Sequence, residues 1–150
     1  MSTLMKKLSL LAAEDEDSEE YWRSLTPEQQ RRRQIQKGEE RDHESRLVNN
    51  PKASPAALHT LALKHFAKNN VGLYNYNVGY LMYKIANHKN THPNTLHLLS
   101  DSIDGDIRQS IIANPNTSLN TLRDIGVKNS DSRHMILKRL LHGPKAVEDL

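Results

Sequence analysis

The sequence predicts an all-α fold. A charged, partly disordered N-terminal arm with short helices (residues 1–40) precedes a short α-solenoid of helix pairs (residues 41–150). Three observations predict it. A pattern of two aliphatic or small residues, a turn and a new helix start recurs three times without a gap. Of the 34 Leu, Ile, Val and Phe residues in the 150-residue chain, 28 lie in residues 47–150, so core-forming material is scarce in the first third. Between the two parts stands a helix that is polar nearly all round.

Taken in order, residues 2–13 place Leu4, Leu8 and Leu11 on one helical stripe. A helix that short is marginal in water and needs something to dock on. The acidic stretch Glu14–Glu20 ends in Tyr21 and Trp22, the single tryptophan. An acidic run ending in aromatics suits docking on a basic, partly apolar surface, so Trp22 is a candidate partner-binding residue. The plainer reading is a solvated linker with both rings tucked against the protein.

Thr26, Pro27 and Gln29 form a helix start: a capping threonine, a proline at the first helical position and a glutamine three residues on. Ile35 is the one large apolar residue between Pro27 and Ser45, which predicts a solvent-facing helix or one bound along its length by something charged. Arg31, Arg32 and Arg33 suit phosphates. Interleaved with Glu28, Glu39 and Glu40, they suit a salt-bridged exposed face more commonly.

The recurring pattern aligns Leu47–Leu58, Ile85–Leu96 and Ile111–Leu122. Pro51 and Pro115 stop the first helix of a pair, because the residue before a proline is pushed out of the α region. Ser54 and Ser118 suit capping of the second helix, and Pro55 and Pro93 its first turn. Leu58/Leu61, Leu96/Leu99 and Leu122/Ile125 then give one inward face per pair. Asp42, Asp106 and Asp131 fall in register upstream, where a carboxylate suits a helix N-terminus. A fourth, incomplete pair begins at Asp131 and is stopped by Gly143-Pro144. That makes about three and a half repeats.

The spacing from Asn50 to His88 exceeds that from His88 to Asn114, which places an insertion near residues 64–79. It is rich in tyrosine and asparagine. Tyr80 and Tyr83 are expected to supply at least one core residue, whereas Tyr74 and Tyr76 are candidates for partner contact.

The run Ile111-Ile112-Ala113-Asn114-Pro115-Asn116-Thr117, with Asp106 ahead of it, resembles the variant leucine-rich repeat family. The resemblance covers roughly residues 42–142 and is weakest at His88-Lys89, where Asn-Pro is replaced. It implies a right-handed, HEAT-like α-solenoid, a scaffold with no reaction of its own, and a bacterial or phage-related setting. Some relatives of that type hold an iron–sulfur cluster through cysteines. This chain has none, so that chemistry does not carry over.

The absence of cysteine also excludes disulfides, thiolate catalysis and zinc ribbons. No run approaches the ~20 apolar residues of a membrane span. Lys6-Lys7 followed by Leu8–Ala13 imitates a signal peptide, but the apolar run is short and acidic residues follow it. A cytoplasmic location is expected. Asp101–Asp106 lacks calcium-loop spacing, and Asn116-Thr117-Ser118 matches a glycosylation sequon by chance.

Equivalent positions of stacked repeats form columns. The residue after each core leucine gives His59, His97 and Arg123, a weakly basic column on the helix expected to line the concave side. The expected function is non-catalytic: an adaptor or inhibitor that binds a protein partner through Tyr74, Tyr76, His59, His97, Arg123 and Trp22. No cofactor, metal, membrane or small-molecule substrate is inferred. The alternative is nucleic-acid binding on a basic face, using Arg31, Arg32, Arg33, Lys138 and Arg139 with Lys52, Lys64, Lys89, Arg123 and Arg133.

Overall fold

The computed structural model describes residues 19–69 and 76–148. Regular structure among them is helical throughout. The chain divides into two compact units, Met1–Asp42 and His43–Leu150.

In the first unit, α1 (Glu19–Ser24) and α2 (Pro27–Asn49) are joined by Leu25-Thr26. The capping box forms reciprocally. Gln29 N–H donates to Thr26 Oγ1 at 3.2 Å, and Thr26 N–H donates to Gln29 Oε1 at 2.9 Å. Apolar burial contributes little to α2 here, since Ile35 is 57% exposed. Cation–aromatic packing does contribute. Lys37 Nζ stands 5.2 Å from the Trp22 ring centre, and Arg33 lies over Tyr21 while donating to its hydroxyl at 2.9 Å. Gln30 Nε2 donates to the Trp22 carbonyl at 2.8 Å, fixing the turn between the helices.

Asp42 was expected ahead of a helix. It lies inside α2, which runs unbroken to Asn49. No proline interrupts the chain there, and Gly38 alone does not end a helix whose backbone bonds are otherwise intact.

The second unit contains the aligned pairs. After the C-terminal part of α2 comes α3 (Pro55–Asn69). Then come α4 (Tyr76–Asn87) with α5 (Pro93–Leu99), and α6 (Gly105–Ala113) with α7 (Leu119–Lys128). A 3-10 turn at Ser130–Ser132 leads into α8 (Arg133–His142), and the four-residue α9 (Lys145–Glu148) follows. The helix starts obey their local chemistry. Ser54 Oγ accepts from Ala57 N–H, Ser118 Oγ from Thr121 N–H, and His92 Nδ1 from Asn94 N–H ahead of Pro93. Asp104, rather than Asp106, caps α6; Asp106 sits in its first turn, where its charge still favours the helix dipole.

The inward faces are those expected from the repeat. Leu58, Leu96 and Leu122 are buried, as are Leu61, Leu99 and Ile125. Each buried side chain of this size contributes about 1.5–3 kcal/mol relative to exposure. Helix α3 packs on α4 and α5, α4 on α6, and α6 on α8. One expectation is corrected: Tyr80 and Tyr83 are both exposed, at 38% and 42%, and neither joins the core. The buried face of α4 is filled by Val78, Leu81, Met82 and Ile85 instead, at i, i+3, i+4 and i+7.

Candidate functional site

The turns of successive pairs are tied together by side chains at equivalent positions. His88 Nε2 donates to the Asn50 carbonyl at 2.8 Å. One pair later, Asn114 Nδ2 donates to the His88 carbonyl at 3.2 Å and to Ala86 at 2.8 Å. One pair later again, Arg139 Nη1 donates to the Asn114 carbonyl at 2.8 Å and to Ile112 at 3.1 Å. A second rung runs beside the first. Asn90 Nδ2 donates to the carbonyls of Pro51 and Ala53, and Asn116 Nδ2 to those of Lys89 and Thr91. Within each turn, Thr91 and Thr117 hydroxyls donate to Ile85 and Ile111 carbonyls at 2.5 Å. Helix-end carbonyls such as those of Ala86 and Ile112 thereby gain donors from the following pair, while those of Asn50, His88 and Asn114 also accept N–H bonds within their own turns.

Second helices are linked the same way. His59 Nδ1 lies 2.7 Å from Thr95 Oγ1, and His97 Nδ1 lies 2.9 Å from Thr121 Oγ1. His59 and His97 therefore occupy one register position, as the alignment has it, with one ring nitrogen of each engaged by the next pair. His97 keeps an exposed side chain, with Nε2 4.0 Å from Asp124. Arg123 stands at the same position of α7 and is exposed. Around this column, Leu63, Leu119 and Val127 leave apolar surface in solvent.

The other candidate residues are dispersed. Trp22 and Arg33 belong to the cation–aromatic packing of the first unit, and Arg32 pairs with Glu28 at 2.7 Å. Arg31 is exposed. Lys138 is exposed on α8, whereas Arg139 is spent on three backbone carbonyls, Pro115 being the third. Burial pushes its guanidinium below the ordinary arginine value. Arg133 Nε donates to the Gly126 carbonyl, and Lys64 is paired to Glu44. Tyr74 lies outside the described residues, and Tyr76 opens α4.

Sequence reasoning missed one charged cluster. Glu44 on α2 is nearly buried and meets two residues of α3, Lys64 Nζ at 2.5 Å and His65 Nε2 at 2.9 Å. Burial pushes its carboxyl up, but the hydrogen bond from Lys64 and the charge and hydrogen bond of His65 outweigh it, leaving the carboxyl below its ordinary value. No periodic signal marks this contact, because the equivalent positions, Met82 and Arg108, carry no carboxylate that repeats the pairing.

Two open clefts lie among the described residues. One of about 460 Å³ is lined by Tyr83, Asn87, Asp106, Gln109, Ser110, Ala113 and Val147. The other, of about 480 Å³, lies around Ser102, Ile103, Arg108 and Lys128. Among the described residues, no three potential metal ligands converge. No described helix is long and apolar enough to cross a membrane. No protein-family model, curated protein or solved structure matches the chain.

Proposed function

We propose that residues 43–150 form a short right-handed α-solenoid of the variant leucine-rich repeat type, acting as a non-catalytic adaptor or inhibitor that binds a protein partner. The observation that carries this reading is the turn-to-turn ladder. His88, Asn90, Asn114, Asn116 and Arg139 hold successive helix pairs in register through backbone carbonyls. Polar groups committed to a scaffold in this way leave chemistry to the exposed faces. On the second helices, His97 and Arg123 stand among exposed Leu63, Leu119 and Val127. A mixed apolar and weakly basic face of this kind suits a protein surface.

Nucleic-acid binding is the weaker reading. Arg139, Lys64 and Arg133, three of the cations it needs, are engaged by carbonyls or by Glu44. Affinity capture with the full chain, repeated at about 50 and about 200 mM salt, separates the two readings. The expected result is a discrete protein set retained at both salts and lost with Arg123→Asp or with Tyr74→Ala and Tyr76→Ala together. Retention of nucleic acid that disappears at the higher salt overturns it, as does a protein set that both variants keep.

A further inference from the structure

On α8 a face that is buried in the earlier helix pairs is bare. Val48, Ala86 and Ile112 hold one register position in the first three pairs and are 3%, 0% and 0% exposed. Leu137 holds that position on α8 and is 58% exposed. Leu140 and Leu141 are 54% and 74% exposed. The spacing i, i+3, i+4 puts all three on one stripe of the helix. No described helix covers it. Gly143, at φ 87, turns the chain away, and the four-residue α9 packs on α6 and α8 with Val147 buried.

The charge beside the stripe is one-sided. Between Asp131 and Glu148 the sequence has no acidic residue, and Arg133, His134, Lys138 and His142 are exposed on α8. A second copy would bring like charges together across the contact, which costs free energy. A helix with its own apolar stripe and acidic flanks meets both requirements, since helix-in-groove recognition reads such stripes. We propose that Leu137, Leu140 and Leu141 dock an acidic amphipathic helix of a partner protein. This surface is separate from the His97–Arg123 face of the second helices and goes beyond the reading above.

The test uses the full chain and a labelled synthetic peptide of about sixteen residues, long enough to form a helix. Its leucines are spaced three and four apart, with glutamate and alanine elsewhere. Two control peptides accompany it: one has the same composition with leucine at every second residue, and the other has lysine in place of glutamate. Fluorescence anisotropy should show the acidic striped peptide binding at least about tenfold more tightly than either control. Leu141→Asp and Lys138→Glu, each checked for an unchanged circular dichroism spectrum, should each weaken it by about tenfold or more, while Arg123→Asp leaves it unchanged. Equal binding of striped and rearranged peptides overturns the proposal, as does binding indifferent to Leu141→Asp and Lys138→Glu. Sedimentation that finds a dimer abolished by Leu141→Asp overturns it in favour of a second copy. Displacement of the peptide by phosphatidylserine–phosphatidylcholine vesicles overturns it in favour of a lipid surface.

Discussion

Arg139 repeats, one helix pair later, the contact that Asn114 makes. Asn114 Nδ2 reaches the carbonyls of Ala86 and His88 at 2.8 and 3.2 Å, and Arg139 Nη1 reaches those of Ile112 and Asn114 at 3.1 and 2.8 Å. Asn114 is 4% exposed, so its removal leaves the Ala86 carbonyl without this donor, away from water, and leaves the His88 carbonyl with the Thr91 N–H. Asn114→Ala should therefore cost about 2–3 kcal/mol, read as a lower urea midpoint at unchanged slope. Asn116→Ala strands carbonyls nearer the surface and should cost less, about 1 kcal/mol. Equal losses at the two positions would contradict the assignment of Asn114 as the buried rung.

The same site tests arginine against lysine. A guanidinium presents several donors in a fixed fork, whereas an ammonium is a compact, strongly hydrated charge. Arg139 uses Nη1 for two carbonyls and Nη2 for Pro115 at 3.5 Å. Arg139→Ala should lower stability by about 1–3 kcal/mol, and Arg139→Lys should recover less than half of that. Full recovery by lysine would mean that charge alone, and not the fork, matters at this turn.

The ladder was legible in part. Alignment of Asn50, His88 and Asn114 follows from the repeat, and the buried leucines follow from helical spacing within it. What the pattern could not give is the direction in which those turn residues bond. Asn114 reads equally well as a helix stop, and Arg139 falls on a register position where the motif has no arginine. Local capping chemistry was readable at Thr26, Ser54 and Ser118 because the partner lies within three residues. The Glu44–Lys64–His65 cluster was not, because it joins residues about twenty apart that share no motif. Tyr80 and Tyr83 misled because aromatic residues near a core helix are usually buried, whereas Val78, Leu81, Met82 and Ile85 already fill the inward stripe of α4.

Gly38 offers a test of α2 by itself. It lies in the helix interior, and a Cβ built there meets nothing within 4 Å. Glycine in a helix interior is less favourable than alanine by about 1 kcal/mol, from backbone entropy that alanine does not lose. Gly38→Ala should raise stability by about 0.5–1 kcal/mol and slow amide exchange on either side of residue 38. A lower midpoint would show that α2 needs the glycine for a bend or close contact.

Glu44 links the α2–α3 contact to pH. Its carboxyl is held below the ordinary value of 4.5, because Lys64 and His65 together outweigh the opposing effect of burial. A carboxyl with a lowered folded-state value binds its proton more readily in the unfolded chain. The stability it contributes is therefore fully present above the ordinary value and is lost as pH falls through the lowered one. Replacing it by Glu44→Gln keeps the shape and removes the charge, at an expected cost of about 1–3 kcal/mol near neutrality for the two charge-assisted bonds. Unfolding midpoints of wild type and Glu44→Gln should differ near neutrality and converge as the pH falls through the lowered value. The difference between the two proteins removes the groups that titrate in acid without touching Glu44. A gap that stays constant down to about pH 3 would mean that Glu44 binds its proton equally readily in the folded and the unfolded chain, and would remove the ion pair as the cause of the acid sensitivity.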